Sequence, residues 1–208
     1  MNLCVGFDLD MTLIDPRPGM VDVVEALGVD AGITLDADGF AEALGPPLHV
    51  ALLAAGAPED RIAELVPRFR SLYPKFVIPR TVAMPGAAEA IAAVQDAGGK
   101  VIVITGKYRR NAVLHLDELG FAVDAVIGEL WAEAKAVALR ENHATVYVGD
   151  HLGDMRGAQA AGATAVGVTS GPCSRQELLD AGADIVLPSL TGFPAWLADR
   201  QALTGQIG

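Results

Sequence analysis

Two carboxylates stand two residues apart in the stretch FDLDMTLID (7–15): Asp8 and Asp10, behind an apolar run and followed by Thr12. Residues i and i+2 of an extended segment project to the same side, so both acids can face one point. A lone Asp at a strand edge commonly caps a turn or meets water, so a further reading needs other residues aimed at the same place. Thr105-Gly106-Lys107 follows the run VIVIT (101–105), and Gly149-Asp150 ends the run TVYVG (145–149), with Asp154 four residues on. In an open parallel sheet ligands bind beyond the carboxyl ends of the strands, so these stretches are expected to meet at one edge. Asp150 and Asp154 sit at a strand-to-helix junction. Apart from the alternative in which Asp150 only caps that helix, the pair can share a hard divalent cation with oxygen ligands, Mg²⁺ above all.

The elements that must hold these residues are short apolar runs at LCVGF (3–7), VIVIT, AVDAVI (122–127), TVYVG, TAVGV (164–168) and ADIVL (183–187). Helical patterns follow most of them, at 111–120, 132–141, 154–162 and 174–182. Near-continuous Val/Ile runs alternating with helices predict a doubly wound α/β core with a parallel sheet covered on both faces. Gly120, Gly162 and Gly182 close three helices as left-handed caps, and 85–100 reads as a helix entered through Pro85-Gly86 and stopped at Gly98-Gly99. Between Pro16 and Arg80 the apolar spacing is helical and broken by Gly and Pro. The expected organisation is a core of residues 1–15 and 81–208 with a small helical insert at 16–80.

A chain of 208 residues, 51% hydrophobic, is ample for one sizeable core. Its formal charge of −11 argues against gripping nucleic acid or an anionic membrane surface. A small anion stays compatible if a cation accompanies it. Cys4 and Cys173 build neither a disulfide framework nor a thiolate metal site and are expected as free thiols. With no signal-peptide pattern and no apolar stretch long enough to span a bilayer, the expected location is the cytoplasm. The expected state is a monomer or a homodimer.

DLDMT (8–12), Thr105-Gly106, Lys135 at a helix start and GDHLGD (149–154) resemble, in order and spacing, the four motifs of the haloacid dehalogenase superfamily. MPGAAEAI, ITGKYRR, GDHLGDMRGAQAAGATAVGV and SGPCSRQELLDAGADIVLPSL resemble its phosphoglycolate phosphatase branch, and the insert resembles that family's helical cap. The resemblance implies a Mg²⁺-dependent phosphatase acting on a small phosphorylated metabolite. Asp8 would be the nucleophile and Asp10 the general acid and base. Mg²⁺ would be held by Asp8, the Asp10 backbone carbonyl and Asp150, with Asp154 ligating directly or supporting. Lys135 would neutralise the nucleophile and phosphoryl oxygens, and Thr105 and Gly106 would donate to the phosphate.

Lys107 either reaches the phosphate or joins Arg109 and Arg110 in an exposed basic helix start. His151 reads as a solvent-facing neighbour rather than a ligand. Met11 stands where the family commonly has Gly, so its side chain is expected to narrow the entrance or touch the cap. Specificity would come from the insert, with Gly45-Pro46-Pro47, His49, Arg68 and Arg70 as candidates. Arg70 either pairs with a substrate carboxylate or second phosphate, or snorkels from its helix. Phosphoglycolate, a sugar phosphate and a nucleotide are the substrate classes to weigh. Among competing readings, a dehalogenase would need neither Asp10 nor Mg²⁺. A β-phosphoglucomutase-type mutase would have His near the position of Met20. A signalling receiver would be shorter and lack the insert, and an idle binding protein would not keep every catalytic position filled.

Overall fold

The computed structural model describes residues 3–43 and 46–205. In chain order the elements are β1 (Cys4–Phe7), β2 (Ile14–Asp15), α1 (Arg17–Ala31), α2 (Ala37–Glu42), α3 (Leu48–Ala54), α4 (Ile62–Phe76), β3 (Val82–Ala83), α5 (Ala87–Asp96), β4 (Lys100–Ile104) and α6 (Arg109–Leu119). They continue as β5 (Ala125–Ile127), α7 (Ala134–Glu141), β6 (Val146–Gly149), α8 (Leu152–Ala161), β7 (Thr164–Val168), α9 (Arg175–Asp180), β8 (Ile185–Leu187) and α10 (Phe193–Gly205). Among the described residues six strands form one sheet in the order β5-β4-β1-β6-β7-β8, and every pairing is parallel.

The strand that carries Asp8 and Asp10 therefore lies between the strands that lead to Thr105 and to Asp150. From β1 the chain builds outward first through β4 and β5, then through β6, β7 and β8, so β1 lies at the topological switch point where open α/β sheets bind ligands.

Alternation along the strands supplies both cores. Val5, Phe7, Val101, Val103, Val146 and Val148 face α5, α6 and α10, meeting Ile91, Leu116 and Phe193. Cys4, Ile102, Ile104 and Tyr147 face the other way, toward Leu139, Met155 and Leu178 of α7, α8 and α9. The outer strands β5 and β8 are shorter than their apolar runs. Asp124 and Asp184, one residue before each strand, bond the neighbouring strand through both main chain and side chain: their carboxylates accept from the Val101 and Ala165 amides, both at 2.8 Å. Gly120 and Gly162 cap α6 and α8 at φ +67° and +73°, while at α9 the cap is Ala181 and Gly182 follows at φ +103°.

The described residues between 17 and 76 include four helices with a cluster of their own, in which Val23, Val24 and Leu27 of α1 pack with Phe40, Leu52, Leu65 and Phe69. The antiparallel pair β2–β3 holds both connections to this insert, Ile14 facing Ala83 and Asp15 facing Val82. None of the described helices is long and apolar enough to cross a membrane. Both cysteines are free, Cys4 buried and Cys173 half-buried.

His115 of α6 joins insert to core. It is fully buried, its Nε2 lies 2.8 Å from the Tyr73 hydroxyl of α4 and its Nδ1 2.7 Å from Thr81 Oγ1. Burial, aided by the nearby Lys107 charge, pushes this imidazole down from 6.5 to about 2. The fold thus keeps His115 neutral while an unfolded chain protonates it below pH 6.5, so this contribution is complete above 6.5 and is lost as pH falls toward 2. Each unit is worth about 1.4 kcal/mol. The stability advantage of the parent over His115→Gln, read from urea unfolding, is therefore expected to shrink by about 2 kcal/mol between pH 7 and pH 5.

Candidate active site

Asp8 continues the line of β1, its amide donating to the Val148 carbonyl at 2.8 Å. The chain then turns tightly: the Leu9 carbonyl accepts from the Thr12, Leu13 and Ile14 amides. Leu9 is fully buried, so Asp8 and Asp10 both point to the opposite side, into one cavity. Met11 sits at φ +58° in the left-handed region, where a side chain is strained and glycine is not. Its side chain is buried and lines the same cavity. Glu129 and Ala132, at φ +62° and +46°, line it too, so three of the four non-glycine residues with positive φ among those described surround one site, as strained backbone at functional sites does.

Beyond β4, Thr105 is buried and its Oγ1 accepts from the Lys107 amide at 3.2 Å, leaving the hydroxyl proton free to donate. Lys107 is not part of an exposed basic helix start: α6 begins at Arg109, and the Lys107 side chain is buried. Its Nζ lies 2.6 Å from the Tyr73 hydroxyl of the insert and 3.1 Å from Asp10 Oδ1. The contact to Asp10 has ion-pair distance but poor hydrogen-bond alignment, and Asp10 Oδ1 is otherwise without a partner.

Lys135, on the first turn of α7, is the buried hub. Its Nζ bonds Asp8 Oδ1 at 2.8 Å, Asp154 Oδ1 at 2.6 Å and the Tyr147 hydroxyl at 2.9 Å. Burial alone would lower the ammonium, but Asp154 and Asp8 outweigh it and hold Lys135 well above its ordinary value. Burial pushes the Asp8 carboxyl up to about 7, with Lys135 opposing and Asp154 adding to the rise. Tyr147, which also donates to the Ile104 carbonyl at 2.7 Å, was not among the expected site residues. Its only sequence signal is a hydroxyl in a strand buried on both faces, which must find a partner.

Asp150 does not cap α8. His151 does, its Nδ1 accepting from the Gly153 amide, and Asp154 completes the capping box by accepting from the His151 amide. His151 is half-buried against Trp131, and burial lowers its imidazole. The Asp150 carboxylate is buried and accepts from Thr12 Oγ1 at 2.7 Å. Burial first, then Asp154 and Asp8, raises its carboxyl.

Carboxylate oxygens of Asp8, Asp150 and Asp154 lie within 4.8 Å of one another. Three buried hard-oxygen donors, two of them with raised carboxyls, suit a small divalent cation, which would relieve their mutual repulsion. Gly171, also not foreseen, makes room for this set: a Cβ there would stand 1.8 Å from Asp150 Oδ2. Gly171→Ala must displace the Asp150 carboxylate, so we expect at least a tenfold loss of turnover with the fold retained, measured by steady-state kinetics beside circular dichroism.

The cavity, of about 340 Å³, lies between the sheet edge and the insert. Pro46, Pro47, His49 and Arg70 of the insert line it; Gly45 lies outside the described residues. Arg70 reaches across to the core, its NH2 group 3.0 Å from Glu129 and its guanidinium 4.2 Å above the Tyr108 ring. Arg68 does not line the cavity and pairs instead with Asp30 on the exposed surface of the insert.

The profile of the haloacid dehalogenase-like hydrolases matches residues 5–168. A phosphoglycolate phosphatase of Caulobacter vibrioides is 29% identical, over 91% of this chain and 88% of its own. One from Mesorhizobium japonicum is also 29% identical, over 82% and 84%. In three dimensions a haloacid dehalogenase-like hydrolase from Streptococcus pneumoniae superposes with a TM-score of 0.80 at 22% identity, covering 94% of this chain and 98% of that one. The family profile extends from the first strand of the sheet to the end of β7 and takes in each of the stretches that meet at the cavity, and the chain belongs to the haloacid dehalogenase-like hydrolase family.

Proposed function

We propose that the chain is a Mg²⁺-dependent phosphomonoester hydrolase, related to the phosphoglycolate phosphatases, that works through an aspartyl phosphate on Asp8. The observation that carries this reading is the buried Asp8–Lys135 pair at 2.8 Å, with two further buried carboxylates beside it and Asp10 facing the same cavity. Asp8 attacks phosphorus, and its new O–P bond forms as the bond to the leaving oxygen breaks, while Asp10 passes that oxygen a proton. Water then attacks phosphorus and gives a proton back to Asp10. The Asp8–phosphorus bond breaks, and inorganic phosphate leaves.

Lys135 offsets the charge that gathers on nucleophile and phosphoryl oxygens, and the Thr105 hydroxyl and Gly106 amide donate to the phosphoryl group. Asp8, Asp150 and the Asp10 backbone carbonyl would hold Mg²⁺, which supplies positive charge to the phosphoryl oxygens when bound. Asp154 has one oxygen on Lys135 and the other on the His151 amide, which favours a supporting role over direct ligation. The insert, residues 16–80, acts as a cap that keeps bulk water from the intermediate over a core of 1–15 and 81–208. Met20, buried in the cavity wall, offers no imidazole for the proton transfers of a mutase. The test is phosphate release from small phosphomonoesters with Mg²⁺ and with EDTA. Release that depends on Mg²⁺ is expected, and its absence for every ester overturns the reading.

A further inference from the structure

We infer that the alcohol carried by the substrate is uncharged and largely apolar, so that a phosphate ester bearing a second anionic group is a poor substrate. The inference rests on the phosphomonoesterase reading and narrows it to a substrate class.

Charge is the first observation. Five carboxylates line the cavity (Asp8, Asp10, Glu129, Asp150, Asp154) against three permanent cations (Arg70, Lys107, Lys135). Each cation already holds an acid: Lys135 has Asp8 and Asp154, Lys107 has Asp10, and Arg70 has Glu129. The guanidinium of Arg70 is further engaged over the Tyr108 ring, and its Nε is buried without a partner. His151 spends Nδ1 on its helix cap and packs against Trp131. A bound divalent cation brings the balance of the lining from −2 to zero, and the phosphoryl group then adds its own negative charge. Along the lining a second carboxylate or phosphate on the substrate finds no lysine or arginine that is not already paired with an acid, and burying it without a cation is costly.

The second observation is the apolar part of the cavity wall. Met11, Met20, Phe40 and Phe69 are buried and Leu48 and Val66 half-buried along it. Met11 holds its place there from a left-handed backbone. A two-carbon acid would leave this surface wetted, whereas an aromatic or aliphatic body covers it. Among the neutral polar groups that line the same space, with Thr105, Tyr108 and His49, one is buried and unengaged. Asn111 is buried, lines the cavity and has no side-chain hydrogen bond among the described residues. It is placed to meet a single hydroxyl or carbonyl of the substrate.

Two measurements at pH 8 with Mg²⁺ test this on the full chain. Turnover compares benzyl phosphate with 2-phosphoglycolate, and calorimetric binding compares their non-hydrolysable counterparts, phenethylphosphonate and 3-phosphonopropionate. The expected result is a preference of roughly tenfold or more for the benzyl member in both kcat/KM and affinity, the scale on which a pocket sorts small differences in apolar groups. Equal or better use of phosphoglycolate, or equal or tighter binding of 3-phosphonopropionate, overturns the inference. If neither ester releases phosphate, the hydrolase reading has failed instead. The two phosphonate affinities then decide this inference alone: tighter phenethylphosphonate sustains it, and parity or the reverse order ends it.

Discussion

Asp8→Asn is expected to lower Mg²⁺-dependent phosphate release at least a thousandfold, equivalent to about 4 kcal/mol of barrier, while melting no lower than the parent in EDTA. The two halves have one cause. Asp8 is buried at the head of β1, where burial raises its carboxyl to about 7, so the folded state bears the cost of keeping a nucleophile charged at neutral pH. An amide of the same shape removes that cost and still leaves Lys135 its 2.6 Å bond to Asp154. A raised acid pKa stabilises below the unfolded value of 3.8, and that stability is lost as pH rises through about 7. The advantage of the variant in EDTA should therefore grow between pH 4 and pH 7. Mg²⁺ should raise the melting temperature of the parent more than that of the variant, because one ligand of the proposed site is gone. Retention of most of the activity by Asp8→Asn would sink the nucleophile assignment, whatever the melting curves show.

What the sequence revealed and hid follows from the range of each interaction. Asp8, Asp10, Thr105 and Asp150 stood out because they interrupt Val/Ile runs at strand ends, and a parallel sheet gathers such ends at one edge. Lys135 carries no local mark: in AEAKAVALRE it reads as a surface lysine, and only its place among the other motifs pointed inward. Its burial depends on Asp8 and Asp154, 127 and 19 residues away. Tyr147 and Gly171 were invisible for the same reason, since what matters at each is a group brought near by folding. The contact of Lys107 with Tyr73 spans 34 residues and crosses from core to insert, beyond any periodicity. Two-residue strands such as β2 and β3 are too short to show alternation. The C-terminal helix α10 passed unnoticed although Phe193 and Leu197 anchor it in the core.

Lys135→Met should cost both stability and rate, and the stability term separates it from Asp8→Asn. Methionine keeps most of the stem volume of lysine, so lost packing is small and lost charge dominates. Without the ammonium, Asp8, Asp150 and Asp154 remain buried within 4.8 Å of one another with no cation among them. Removing one partner of a buried ion pair typically costs about 3–5 kcal/mol, and we expect a loss of that size by urea unfolding in EDTA. Turnover should fall by about a hundredfold or more, the effect of deleting one aimed donor in a preorganised site. Arginine should not rescue it, because a planar fork cannot replace a point charge held among Asp8, Asp154 and the Tyr147 hydroxyl. Mg²⁺ should restore more stability to Lys135→Met than it adds to the parent, since the ion then supplies the only positive charge in the cluster. Adding Asp8→Asn to the Lys135→Met chain should recover more stability in EDTA than the same change adds to the parent, because it removes one of the stranded carboxylates. The two substitutions would then be non-additive, as expected for groups in direct contact. A double variant whose loss equals the sum of the single effects would show that the 2.8 Å pair does not couple the two residues energetically, and the role given to Lys135 would fall with it.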